Sequence, residues 1–216
     1  MRGCILDLDN TLYDENQYFY YVFLEFWNNH HLDNDLFKQV CIQVLNDGNR
    51  LTSKDIFKTF LDLTPIGYTK QYHDELFEIY TNIDCKITLY EDAKDFLEYL
   101  SKNNILVAIL TNGPIKAQVN KVRNLALSNI PVFYAREEGV QFEKPHPRAF
   151  QKVLDFFSLA PQECCMIGDN PTTDLYGASQ IGITPIWLQR GYAKKKQSTL
   201  FCNKILNLCE LKGNIE

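Results

Sequence analysis

The sequence predicts a parallel α/β sheet interrupted by an inserted block of helices. Three observations point there. Five short runs are almost continuously apolar, helical periodicity fills the gaps between the last four of them, and about seventy residues of helical pattern separate the first run from the rest. A strand covered on both faces reads as a continuous apolar run, whereas a half-solvated strand alternates. Strand, helix and strand in repetition give parallel pairing through right-handed crossovers. The composition agrees: of 216 residues, 45% are hydrophobic and 23% charged, the balance of a folded chain.

The elements follow in order. Cys4-Ile5-Leu6-Asp7-Leu8 is the first strand. Within 14–85, Asp33 is placed to cap a helix striped by Leu36, Phe37, Val40, Cys41, Val44 and Leu45. Phe57, Phe60 and Leu61 mark a second helix. Leu76, Phe77, Ile79 and Tyr80 mark a third, after a break at Thr64-Pro65-Ile66-Gly67. Beyond the insertion, Phe96, Leu97 and Leu100 lead into a strand over Ile105 to Leu110. A stripe of Ile115, Val119, Val122 and Ala126 then precedes Pro131 to Tyr134. Phe150, Val153, Leu154 and Phe157, with Pro147 suited to a first helical turn, precede Cys164 to Ile167, and Ile183 to Leu188 closes the series. The expected division is a core of 1–13 and 86–216 and a helical unit of 14–85, with hinges near Tyr13-Asp14 and Cys85-Lys86.

Charge and composition exclude several classes. Lys plus Arg number 22 against 27 Asp plus Glu, a net −5 that argues against a nucleic-acid-binding surface. The longest aliphatic stretch, Ile105 to Leu110, is far below the roughly 20 residues that cross a bilayer, so no membrane partner is expected. Met1-Arg2-Gly3 runs straight into a core strand, leaving no room for a signal peptide. The seven cysteines form no C-x-x-C pair and the four histidines show no zinc spacing with them. A soluble, thiol-reduced, cytoplasmic protein is expected, as a monomer or a homodimer. Lys194-Lys195-Lys196 reads as solvated surface.

The chemistry sits where the predicted strands end. In a doubly wound sheet, ligands bind beyond the carboxyl ends of the strands. The first strand ends in Asp7-Leu8-Asp9-Asn10-Thr11, and two carboxylates so close together resist joint ionisation unless something compensates them. Thr111-Asn112-Gly113 ends the second, and Pro114 opens a helix, an arrangement of hydroxyl, amides and helix terminus that suits an anion. Lys144-Pro145 puts a cation on a loop, and Gly168-Asp169-Asn170 with Asp174 brings two more acids to the same rim. Each fragment alone is compatible with an ordinary turn or cap. Together they place Asp7, Asp9, Asp169 and Asp174 against one Lys144, which calls for a hard divalent cation; oxygen-only ligands indicate Mg²⁺. A metal, a lysine and helix-terminal amides form a receptor for a phosphate dianion.

These four fragments, in this order, resemble the motifs of the haloacid dehalogenase superfamily. The likeness covers about 1–13 and 86–190, and the helical insertion stands where that family carries a type I cap. Gly168-Asp169-Asn170, Gly177-Ala178, Trp187 and Arg190-Gly191 resemble its nucleotidase and N-acylneuraminate-9-phosphatase-like branch. The resemblance implies a Rossmann-like, five-stranded sheet of order 3-2-1-4-5 and a two-step phosphoryl transfer. It makes Asp7 the nucleophile that forms an aspartyl-phosphate, and Asp9 the acid and then the base. It assigns Mg²⁺ to Asp7, the Asp9 carbonyl and Asp169, with Asp174 and Asn170 behind them. It assigns the phosphoryl oxygens to Thr111, the amides at Asn112 and Gly113, and Lys144.

The leading expectation is a Mg²⁺-dependent phosphomonoester hydrolase acting on a small phosphorylated metabolite, a nucleoside 5′-monophosphate or a phosphosugar. A 2-haloacid dehalogenase, a phosphosugar mutase and a catalytically silent binding protein share the scaffold. Asp9 argues against the dehalogenase, because a halide leaving group needs no acid. Seven aromatics within Tyr18 to Trp27 either pack the helical unit or stack a substrate ring, and packing is the preferred reading.

Overall fold

The structure is a computed structural model that describes residues 1–198, Leu200 and 202–214. β1 (Gly3–Leu6) leads into six helices: α1 (Glu15–Asn29), α2 (Asn34–Val44), α3 (Asp47–Thr52), α4 (Ile56–Leu63), α5 (Lys70–Asn82) and α6 (Glu91–Lys102). The alternating part follows as β2 (Leu106–Thr111), α7 (Ile115–Asn124), β3 (Val132–Tyr134), α8 (Pro147–Phe157), β4 (Cys164–Gly168), α9 (Tyr176–Gln180), β5 (Thr184–Leu188) and β6 (Asn203–Ile205). All strands pair in parallel in the order β3-β2-β1-β4-β5-β6.

The five expected strands and their order 3-2-1-4-5 stand, and the strand count among the described residues is corrected to six. β6 adds beside β5, pairing Trp187 with Lys204. Its three residues include the exposed Asn203 and Lys204, so no apolar run announces it. Every residue of β1 and β4 is buried, which explains their unbroken apolar sequence. Cys4 and Leu6 face a core shared with Phe96, Leu100 and Val122 of α6 and α7. Ile5 faces the opposite core with Phe150, Val153 and Leu154 of α8. All seven cysteines are free, and no helix among the described residues is long and apolar enough to cross a membrane.

The five helices α1–α5 build their own apolar interior, continuous with the first core. Side chains of Asp14, Asp33, Asp55 and Thr69 accept hydrogen bonds from first-turn amides of α1, α2, α4 and α5. The aromatic stretch of α1 packs: Tyr18, Phe19, Phe23, Phe26 and Trp27 are buried, and the Phe23 and Phe60 rings stack 4.0 Å apart. Tyr20 points outward at the edge. The two connections to the sheet run side by side, with Tyr13 bridged to Leu89 and the Tyr90 amide donating to the Leu12 carbonyl at 2.9 Å.

α7 departs from the expected stripe. Ile115 and Val119 are exposed, whereas Gln118, Asn120 and Lys121 are buried with Ala117 and Val122. The helix turns its polar face under α1 and α5, where those side chains find partners. Lys194 and Lys195 stay exposed, as expected of solvated surface, and approach Asp47 at 3.2 and 3.5 Å, while Lys196 reaches Asn170 at 3.1 Å.

Phe60 contacts the rings of Phe23, Phe26 and Trp27 and is fully enclosed. Phe60→Ala is expected to lower unfolding free energy by about 3–5 kcal/mol, read from urea titrations followed by circular dichroism.

Candidate active site

Asp7 stands just past β1, its amide donating to the Ile167 carbonyl of β4 at 3.0 Å. The Thr11 hydroxyl accepts from the Asp169 amide at 3.1 Å and lies 3.4 Å from Asp7 Oδ2, tying the two strand ends together. Trp187 Nε1 donates to the Asp169 carbonyl at 2.9 Å and holds that loop from β5. Asp174 sits on a wide helical turn, Pro171–Leu175, and its Oδ2 accepts from the Asn170 amide at 3.1 Å. Gly168 makes this possible: a Cβ there would lie 2.3 Å from Asp174 Oδ2. At Gly177 a Cβ would meet the Phe150 ring and lie 2.8 Å from the Pro145 carbonyl, so α9 closes against the lysine loop only without a side chain.

Lys144 is buried, and each of its three protons has an acceptor. Nζ lies 2.6 Å from Asp7 Oδ1, 2.7 Å from the Leu110 carbonyl and 2.9 Å from Asp174 Oδ1. Carboxylate oxygens of Asp7, Asp169 and Asp174 lie within 4.8 Å of one another. Burial pushes the Asp7 carboxyl up to about 7, with Asp174 and Asp9 adding and Lys144 opposing. Burial and the charges of Asp7 and Asp174 push Asp169 well above the usual carboxylate range. Asp169 Oδ2 is buried without a hydrogen-bond partner. Three acids against one lysine, with an orphaned oxygen among them, form an oxygen donor set that fits a hard divalent cation.

The remaining expected residues divide. Thr111 and Asn112 line the same cavity as Asp7, Asp9, Lys144, Asp169, Asn170 and Asp174. Thr111 Oγ1 accepts from Gln118 Nε2 at 2.5 Å. The Asn112 side chain is committed to the lysine loop: its Nδ2 donates to the Lys144 carbonyl and its Oδ1 accepts from the Lys144 amide, both at 2.9 Å. Gly113 departs from expectation. Its amide donates to Glu143 Oε1 at 2.6 Å, because Glu143 precedes Lys144 on the same loop, so that amide is not directed at a ligand. Asn170 Oδ1 accepts from the Thr172 amide at 3.2 Å and from Lys196, shaping the turn that carries Asp174.

Asp9 has surroundings that its motif does not announce. Oδ1 accepts from the Tyr13 phenol at 2.7 Å and from Lys121 Nζ at 2.8 Å, and Oδ2 accepts from Gln118 Nε2 at 2.8 Å. Burial would raise its pKa, but Lys121, Tyr13 and Gln118 together hold the carboxyl below its usual range. Lys121 also reaches Glu15 Oε1 at 3.1 Å, and Glu15 pairs in turn with Arg50. The Arg50 guanidinium lies over the Phe19 and Tyr192 rings, 4.4 and 5.0 Å from their centroids. Sequence reasoning missed Tyr13, Glu15, Arg50, Gln118, Lys121 and Tyr192. The one available signal was the spacing of Gln118 and Lys121, which puts both on one face of α7.

The cavity has a volume of about 160 Å³, and Glu15 and Tyr192 are also in its lining. A family model described as haloacid dehalogenase-like hydrolase matches residues 4–188. The chain belongs to this family. Among relatives of this haloacid dehalogenase-like hydrolase, a phosphoserine phosphatase of Thermus thermophilus is 33% identical over 117 residues, 54% of this chain and 47% of that one. A glyceraldehyde 3-phosphate phosphatase of Pyrococcus furiosus is 37% identical over 102 residues, 46% and 41% of the two chains. The N-acylneuraminate-9-phosphatase of Rattus norvegicus is 31% identical over 105 residues, 48% and 42%. The matched stretches thus span less than half the length of these relatives. Likeness of fold extends further. A HAD-hydrolase of Bacillus subtilis solved with magnesium superposes at a TM-score of 0.69 and 20% identity, covering 99% of this chain and 98% of that one.

The Asp7 environment gives a pH prediction. Asp7 ionises near 3.8 in an unfolded chain and near 7 in the fold, so between these values the folded state binds more protons. Stability is then greatest below pH 4 for this group and is lost as pH rises through 7. In chelator-treated protein, the Asp7 contribution to that loss is expected to be on the order of 3 kcal/mol, and Asp7→Asn should remove it. Urea unfolding at pH 5 and pH 8 measures both.

Proposed function

We propose that this haloacid dehalogenase-like hydrolase is a Mg²⁺-dependent phosphomonoesterase acting on a small phosphorylated metabolite. The observation that carries the reading is the buried group of Asp7, Asp169 and Asp174 around Lys144, with one Asp169 oxygen unpartnered. Its three acids exceed its single cation by two charges, the charge of one Mg²⁺. Asp7, Asp169 and the Asp174 side would hold the ion together with the Asp9 carbonyl. Bound there, it supplies Lewis-acid charge neutralisation that lets an anionic nucleophile approach a phosphate.

The chain's own residues divide the work. Asp7 attacks phosphorus as the ester bond to the alcohol breaks, leaving an aspartyl-phosphate. Asp9 delivers a proton to the departing alkoxide and then takes one from the water that releases phosphate. Lys144 orients the Asp7 carboxylate and sets its positive charge beside the phosphoryl group, while Asn112 fixes the lysine loop. The helical unit 14–85 acts as the cap, with Glu15 in the cavity lining and Arg50 paired to it, keeping bulk solvent out while the water that hydrolysis consumes is admitted. Relatives named for phosphoserine, glyceraldehyde 3-phosphate and an acylneuraminate 9-phosphate support the ester class.

The cavity narrows the substrate. Its 160 Å³ lies below the roughly 300–1,000 Å³ of pockets that enclose a drug-sized ligand. At roughly 10–15 Å³ of such space per water it takes on the order of ten waters, enough for a phosphoryl group and a small alcohol. No residue of the aromatic stretch Tyr18 to Trp27 lines it, which removes the support for base stacking.

With Mg²⁺ present, Asp7→Asn is expected to reduce phosphate release from p-nitrophenyl phosphate by at least about 10⁴-fold, and chelation of the wild-type protein to do the same. Robust turnover by the variant, or chloride release from a chloroacid, sinks the reading. In a substrate screen, phosphoesters of two to four carbons should exceed nucleoside monophosphates in kcat/KM by about tenfold or more, scored by free phosphate.

A further inference from the structure

Lys121 is the least expected charge in the molecule. α7 leaves Ile115 and Val119 in solvent and encloses a lysine completely, the reverse of what its apolar pattern favours. An ammonium removed from water needs partners, and Lys121 has two carboxylates. One is Asp9 at 2.8 Å, and the other is Glu15 at 3.1 Å, the first residue of α1. The ammonium lies over the faces of Tyr18 and Tyr80, with Nζ 5.2 and 5.1 Å from the ring centroids.

Asp9 is thereby gripped from several directions. Lys121 and the Tyr13 phenol share Oδ1, and Gln118, one turn earlier on α7, donates to Oδ2. Asp9 lines the cavity, and its side chain keeps 21% of its surface exposed. Oδ1 carries two donors and Oδ2 one, so Oδ2 keeps the capacity to accept a proton from the cavity that Asp9 lines.

We propose that Lys121 is a positioning residue: it fixes the Asp9 carboxylate at the cavity wall to take a proton from the attacking water, and Glu15 holds the lysine in place from the cap. The inference rests on the phosphomonoesterase reading above. In the step concerned, the water oxygen bonds to phosphorus, the Asp7–phosphorus bond breaks with its electron pair returning to Asp7, and the water proton passes to Asp9. Lys121 neither gives nor takes a proton.

The test separates the two half-reactions. p-Nitrophenolate leaves without acid assistance, so in Lys121→Met a rapid burst of about one p-nitrophenolate per site should persist. Steady-state release should fall about 100-fold, and acid quenching should trap labelled phosphoenzyme. Lys121→Arg should restore steady-state turnover to within about tenfold. The double variant Glu15→Gln/Lys121→Met removes one anion with one cation, so it tests the same point in a charge-balanced protein if Lys121→Met does not fold by circular dichroism. Equal losses of burst and steady-state rates without trapped phosphoenzyme overturn the proposal. Absence of any Mg²⁺-dependent phosphate release by the wild-type chain overturns the phosphomonoesterase reading first, before any Lys121 variant is made.

Discussion

The Lys144 ammonium, buried between Asp7, Asp174 and the Leu110 carbonyl, is the interaction on which the rest of the site is built. Three carboxylates do not gather in a dry crevice by themselves, since each is costly to desolvate and repels the others. The lysine offsets part of that cost and ties its own loop to the ends of β1, β2 and the turn after β4. The local sequence then answers to it. Asn112 clamps the loop by both ends of its amide, Gly168 leaves the space that Asp174 fills, and Gly177 lets α9 close behind Pro145.

Two electrostatic assemblies meet across the cavity, and they differ in kind. Around Lys144 the acids outnumber the cations, Asp7 and Asp169 resist ionisation, and one oxygen has no partner. Around Lys121 the charges match, with Asp9 and Glu15 against Lys121 and Arg50, and Asp9 stays readily ionised. Charge balance therefore separates the half of the cavity that calls for an added cation from the half that is complete as it stands. The two aspartates of one short motif, two residues apart, fall into opposite halves.

The sheet was legible because β1, β2, β4 and β5 are covered on both faces and carry little besides apolar residues. The candidate site was legible at Asp7 and Asp169 for a related reason, since a charged residue immediately after an apolar strand has few places to point. Lys144 and Asp174, on a loop and a turn farther along, were legible only as charges placed near the same strand ends. β6 was not legible, being three residues long with two polar side chains in solvent. The α7 register was misread because hydrophobic spacing assumes that apolar side chains seek the interior, and here the interior is charged. Glu15 and Arg50 lie 35 residues apart and pair only after α1 and α3 have folded together, so no local pattern could mark them. Gly113 carried the motif but spends its amide on Glu143, a contact set by the path of a distant loop.

The inward polar face of α7 has a consequence for modularity. A sheet whose helices showed the insertion only greasy surface could accept a different lid with little change. Here the scaffold presents Asn120 and Lys121, and the insertion answers with the Tyr18 phenol, which accepts from Asn120 Nδ2 at 2.9 Å, and the Glu15 carboxylate, 3.1 Å from Lys121. Swapping in a foreign lid would strand those groups, so scaffold and lid must change in step.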